Sequence, residues 1–426
     1  MLNIMNFFSK LKLMFLDPSL RRKTIFTLSA LAIFRLLAAI PIPGIDPLKL
    51  QEFLTNNDFL GILNIFSGGG LSNLSIIMLG VGPYITSSII MQLLTIMVPS
   101  LKALYHEEGE IGRRKFTQYS RLITIPLALI QGFGLMVLLS NQGVIDNLSV
   151  FDKGLNLVVI TAGSMLVMWI GELISEFGIG NGVSLLIFAG IVASIPSNIS
   201  QLLFTFDKSQ IPLYLAFLVV AVLIVAAVVY ITEAERPIPV TYAKRIRGAK
   251  MYGGVSTYIP LRVNQAGVIP IIFALSILLF PQMIANFLAG VNNVVLQKIG
   301  AFLSGFIQTQ WLYGIFYFLL VFVFTYFYTA VTFDPQSLST NLQKNGAFIP
   351  GIRPGQSTAE HISKILTRIT LVGGLFLGTI AILPLIMQSI TGVNTLAIGG
   401  TALLIVVSVV IDLVKKVEAQ ISMREY

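Results

Sequence analysis

The chain has 426 residues, of which 55% are hydrophobic and only 11% charged, with a net charge of +9 and a mean hydropathy of +0.85. A soluble domain carries about 25% charged residues, so this composition excludes a water-soluble protein and leaves a membrane protein. Cysteine is absent, which excludes disulfides and thiolate metal sites and leaves the redox compartment unread.

Crossing about 30 Å of hydrocarbon takes about 20 apolar residues in a helix, because each backbone N–H and C=O must find its partner inside the span. Ten such stretches occur, at 24–41, 75–98, 122–140, 154–172, 183–204, 211–231, 267–289, 311–332, 369–390 and 395–414. Residues 1–23 are basic and amphipathic, and no small-residue cleavage site follows the first apolar run, so that run is expected to be a retained span.

Lys and Arg set the expected orientation. Segment 1–23, the second, sixth and eighth loops and the tail hold 23 of them, whereas the other side holds four: Lys49, Lys153, Lys208 and Lys298. Both termini are therefore expected in the cytoplasm, as an even number of spans requires. The sixth and eighth loops, 232–266 and 333–368, are the longest polar cytoplasmic excursions and make protein partners there plausible. On the opposite side the first loop carries FSGGGLSNLS (66–75) after an apolar run, 59–66, too short to span. A glycine-hinged half-helix of this kind is tolerated at membrane depth only under cover of protein or beside a water-filled cavity.

The second and seventh spans both spell Gly-Val-x-Pro-x-Ile, at Gly80 to Ile85 and at Gly267 to Ile272. Each stands second in a run of five spans. Five spans reverse the starting side, so the halves, 1–205 and 206–426, would be inverted repeats with the functional path between them. Chance recurrence of common membrane residues is the alternative.

Pumps and ion-coupled transporters need ionisable groups inside the bundle. Here only Arg35 lies well inside a span, where it is expected to snorkel or to pair. His106 and His361 lie in cytoplasmic loops, Glu172 and Glu176 at the cytoplasmic end of the fourth span, and Asp412 near the end of the tenth. With no phosphate loop, metal cluster or Ser/His/Asp constellation, no catalytic residue, metal or cofactor is expected. A secondary transporter built from inverted repeats is the competing reading.

Five segments, in order, carry a resemblance: VGPYITSSIIMQLL (81–94), ISEFGIGNGVSLLIFAGIVA (174–193), LRVNQAGVIPIIFALSILLFP (261–281), IPGIRPGQST (349–358) and GGTALLIVVSVVID (399–412). Together they resemble the SecY family of protein-conducting channels over nearly the whole chain. The resemblance implies an all-α membrane protein of ten helices in two inverted halves around an hourglass pore, with a gate opening sideways to lipid. It implies an aliphatic pore ring of Val81, Ile85, Ile187, Ile191, Ile272 and Ile405, of which Val81 is smaller than the Ile often found there. The pairs 81/85 and 187/191 each share a helix face, and an apolar ring gates by dewetting. A short helix at about 60–71, from Leu60 to Leu71, would be the plug, hinged at Gly68, Gly69 and Gly70.

Gln92 and Asn264 resemble the polar positions along the lateral gate between the second and third spans and the seventh and eighth. The resemblance further implies docking of the SecA motor and the ribosome at Lys244, Arg245, Arg247, Lys250 and Arg353. The first four form a basic cluster that suits RNA phosphates or simply enforces topology; Arg353 precedes the turn pair Pro354-Gly355. The implied partners are SecE, SecG, SecA, the ribosome, signal sequences of secretory and membrane proteins, and membrane lipid, with SecDF and YidC as further associates. The implied location is the bacterial plasma membrane.

Overall fold

The computed structural model describes residues 17–42, 67–71, 73–141, 143–144, 149–204, 211–242, 245–247, 250–252, 256–289, 293–391 and 394–422. Each of the ten expected spans coincides with a helix. In order these are α1 (Pro18–Ala38), α2 (Gly82–Met97), α4 (Gly109–Asn141), α5 (Val150–Phe177), α6 (Gly182–Phe204), α7 (Ile211–Glu233), α8 (Ile269–Ala289), α10 (Gln310–Thr332), α12 (Gln356–Thr391) and α13 (Asn394–Ser422). Between them lie α3 (Pro99–His106), α9 (Val294–Gln308) and α11 (Pro335–Lys344). Four helices, α4, α5, α10 and α12, hold described windows long and apolar enough to cross a membrane, and the bent pair α2–α3 makes a fifth.

The helix ends follow local chemistry. Asp17 caps α1 by accepting from Ser19 N at 2.8 Å, with Pro18 in the first turn. Asp334 and Pro335 repeat this device at α11. Val98 is extended because Pro99 follows it, and the chain bends 115° between α2 and α3. The second span starts later than its composition predicts: 75–81 form turns rather than helix, and α2 begins only at Gly82.

Strands were not expected, and the long sixth and eighth loops form them. Strand β1 (Glu235–Tyr242) pairs antiparallel with β4 (Ser256–Arg262), and β5 (Ala347–Phe348) joins β1 on its other side. A small ladder, β2 (Arg245–Arg247) with β3 (Lys250–Tyr252), lies between β1 and β4 in sequence. Ile238 and Val240 alternate inward on β1 and pack with Leu261, Ala347, Ile349, Ile362 and Ile369. Pro237 and Pro239 are tolerated because β5 pairs only at Thr241 and Tyr242, so the proline stretch of β1 has β4 on one side alone.

Contacts divide the chain into two compact units. One comprises Met1–Phe217, Ser276–Tyr313 and Pro384–Tyr426; the other comprises Leu218–Leu275 and Gly314–Leu383. In the first, Leu71, Leu74, Met78, Leu79, Ala128, Leu135, Leu139 and Ile160 form a core beneath the turns at 67–81. The second holds the three-stranded sheet and its apolar platform.

Candidate functional site

Segment 67–81 of the first unit is non-helical backbone in a membrane protein, so its polar groups require partners within the protein. Ser67 Oγ accepts from Leu71 N at 2.9 Å, and Gly70 O accepts from Ser75 N at 2.8 Å. Ile42 N donates to Leu74 O, Ile76 N to Ile40 O, and Ser164 Oγ of α5 to Gly80 O. Arg35 Nη1 of α1 donates to Gly68 O at 2.6 Å. The lone ionisable residue of the spans is thus paired, and its acceptor is a backbone carbonyl.

Two close approaches complete this seat. A Cβ on Gly163 would lie 2.0 Å from Ile76 O, and one on Gly190 would lie 2.2 Å from Gly68 Cα. Gly68 has φ +65°, and a side chain there would also strike the Phe34 ring. Glycine at 68 and 190 therefore lets the turn lie directly on α6, beside Ile191. Of the expected plug, Leu60 lies outside the described residues, while Gly68, Gly69, Gly70 and Leu71 form turns rather than the end of a helix.

All six expected ring positions are helical or helix-adjacent and buried: Val81 1%, Ile85 5%, Ile187 1%, Ile191 4%, Ile272 5% and Ile405 1% exposed. Five of them, all but Ile272, belong to the first unit. The recurrent motif has the same local form twice. Gly80 and Gly267 adopt φ +54° and +61°, and each helix starts two residues later with proline at its second position. Ile85 N then bonds Val81 O, just as Ile272 N bonds Val268 O.

The expected gate amides are both incompletely satisfied. Gln92 Nε2 donates to Ser88 Oγ and Asn264 Nδ2 to Gly267 O, each at 3.2 Å. Among the described residues, neither Gln92 Oε1 nor Asn264 Oδ1 has a partner although both atoms are buried.

On the eighth loop, Arg353 is exposed on a turn that is itself held firmly. Thr358 Oγ1 donates to Arg353 O at 2.9 Å, and Ser339 Oγ to Gly355 O at 2.6 Å. Arg245 and Arg247 are on β2 and Lys250 on β3, opposite Arg247; alternation and pairing put the three positions on one side of the ladder. Lys244 lies outside the described residues. No group of three or more potential metal ligands occurs among the described residues.

The SecY family model matches residues 75–414. The chain is 43% identical to the protein translocase subunit SecY of Mycobacterium leprae, covering 96% of both chains, and 41% identical to that of Streptomyces galbus, covering 97% of both. The chain belongs to the SecY family.

The fold of the SecY family is also found among solved structures. One protein-conducting channel, 19% identical, superposes with a TM-score of 0.63 over 95% of this chain and 93% of its own. Sec61 of the canine ribosome–channel complex, 18% identical, gives 0.59 over the same shares. This places the chain among multi-pass membrane proteins of the channel fold. The matched stretch of the SecY family starts at Ser75, after Phe34, Arg35 and the glycine turn.

Proposed function

We propose that this chain is the channel subunit of a bacterial protein translocase, conducting unfolded secretory chains across the plasma membrane and releasing apolar helices into it. The observation that carries the reading is the burial of all six aliphatic ring positions in a chain of this family and fold. Such a waist excludes water and ions when empty and yields around a passing chain. The channel performs no covalent chemistry; lipid charges several kcal/mol for each unsatisfied backbone group, and a sheltered path removes that cost.

The two inverted halves, 1–205 and 206–426, are supported by the shared backbone form of the two Gly-Val-x-Pro-x-Ile segments. The glycine turn is the hinge of a plug; a solved structure of this fold comes from work on a SecY plug domain that stabilises the closed channel. Gln92 and Asn264 border the lateral gate, and their unpaired buried oxygens supply acceptors that gate opening can expose at low cost. Signal sequences, with apolar runs of about 7 to 15 residues, enter there from a complex with SecE and SecG. Arg353 and the Arg245, Arg247 and Lys250 ladder receive SecA or the ribosome, the latter role supported by ribosome-bound relatives of the fold. SecDF and YidC are the expected further associates, and both termini face the cytoplasm.

Reconstitution with SecE and SecA tests the reading through ATP-dependent protease protection of a secretory precursor. Protection is expected. Its absence, together with accumulation of a small solute, would overturn the channel in favour of a transporter.

A further inference from the structure

A guanidinium within an apolar span is costly unless it is paired, and it is retained where it has a task. Arg35 is paired to a single carbonyl, Gly68 O, at 2.6 Å. It stands next to Phe34, whose ring packs against Gly68, while Gly190 supports the same glycine from α6. A Cβ on Gly69 would also lie 3.1 Å from Arg35 Nη1, so the guanidinium covers two consecutive residues of the turn.

The residue nonetheless remains exposed overall. A charge-assisted bond to one carbonyl is roughly twice as strong as a neutral one, but it lacks the second charge that would make release prohibitive.

We propose that Arg35 is a positioning residue, a releasable latch that holds the Gly68-Gly69-Gly70 turn in its seat against Phe34 and Gly190. This rests on reading the turn as the plug's hinge in a protein channel. It deepens that reading by naming what keeps the hinge closed at rest. Phe34 and Gly190 shape the seat, whereas Arg35 supplies the charged hydrogen bond from α1 to Gly68 O, beside the neutral one that Asn73 Nδ2 makes to Ala38 O.

The chain has no cysteine, so a single introduced thiol can report on the seat without prior substitutions. Leu71→Cys places the thiol at a site with 0% exposure beside the turn, and Ile174→Cys places one at 0% exposure on α5 outside the core beneath the turn. Labelling of full-length chain in membranes by a maleimide reagent is then compared with Arg35, Arg35→Lys and Arg35→Met. At Leu71→Cys the expected acceleration is about tenfold for Arg35→Met and less for Arg35→Lys, which keeps one cationic donor but loses the fork. Ile174→Cys should stay protected throughout.

An unchanged rate at Leu71→Cys overturns the latch. Equal acceleration at Ile174→Cys also overturns it, because Arg35 would then support the whole unit. Labelling needs no transport, so the two readings separate. Faster labelling in a chain that never conducts precursor would remove the channel and leave the latch, whereas ion leak in Ile191→Asn with unchanged labelling in Arg35→Met would remove the latch alone.

Discussion

The turn segment at 67–81 and the β1–β4–β5 sheet are both irregular insertions between long helices, yet they satisfy their backbones in opposite ways. The sheet pairs its own strands, from Glu235↔Arg262 through Thr241↔Ser256, and buries Ile238 and Val240 on one side. The turn segment has almost no ladder; it closes short bonds within its own turns, such as Ser75 N to Gly70 O, and draws further donors from elsewhere: Ser164 on α5, Arg35 on α1, and Ile42 after it. Its cover comes at backbone distance, through Gly163 and Gly190. The contrast teaches that non-helical chain at membrane depth needs protein cover close enough to replace water. A loop outside the spans needs only a ladder and one apolar face, and is free to expose charge such as Arg353.

Substitutions can break this contrast, starting with the largest effect. Gly163→Leu should cost roughly 3 kcal/mol or more, because the new side chain meets the Ile76 carbonyl rather than a movable side chain. Gly154, on the same helix, has open space around its Cβ direction, and Gly154→Leu should stay within about 0.5 kcal/mol. Thermal unfolding of the purified complex measures both; equal stability would refute the close-cover argument.

Ile238→Ala should come next, at about 2 to 4 kcal/mol for a buried truncation. Its effect should stay local: hydrogen exchange should speed up in β1 and β4 while α4 and α5 keep their protection. Arg353→Glu should have the smallest effect on stability, within about 0.5 kcal/mol, because the side chain is exposed and its turn is held by backbone acceptors. Translocation should nevertheless fail while the protein itself inserts normally. Normal translocation would remove the docking role.

How much of this was legible depended on where the partner atoms lie. The helices at the ten expected stretches were legible because a helix satisfies its own backbone, so composition alone marks it. The start of the second span was misread because Ser75 to Val81 are as apolar as a helix while Gly80 and Pro83 place the true start at Gly82. The strands were hidden by Pro237, Pro239 and Pro260, which argue against strand in a sequence, although the alternation of Ile238 with Val240 and Ile259 with Leu261 could have revealed them. The partner of Arg35 could not be read at all, since any residue supplies a carbonyl. The ring positions rest on resemblance alone, because a single aliphatic residue in a membrane helix carries no signal of its own.

The waist itself is the central claim, and ion conductance of the idle channel tests it most directly. Ile85→Asn, Ile191→Asn and Ile405→Asn should each raise ion leak or relax signal-sequence selectivity, since a polar side chain lets water wet the constriction. Conductance and selectivity unchanged in all three would contradict the account.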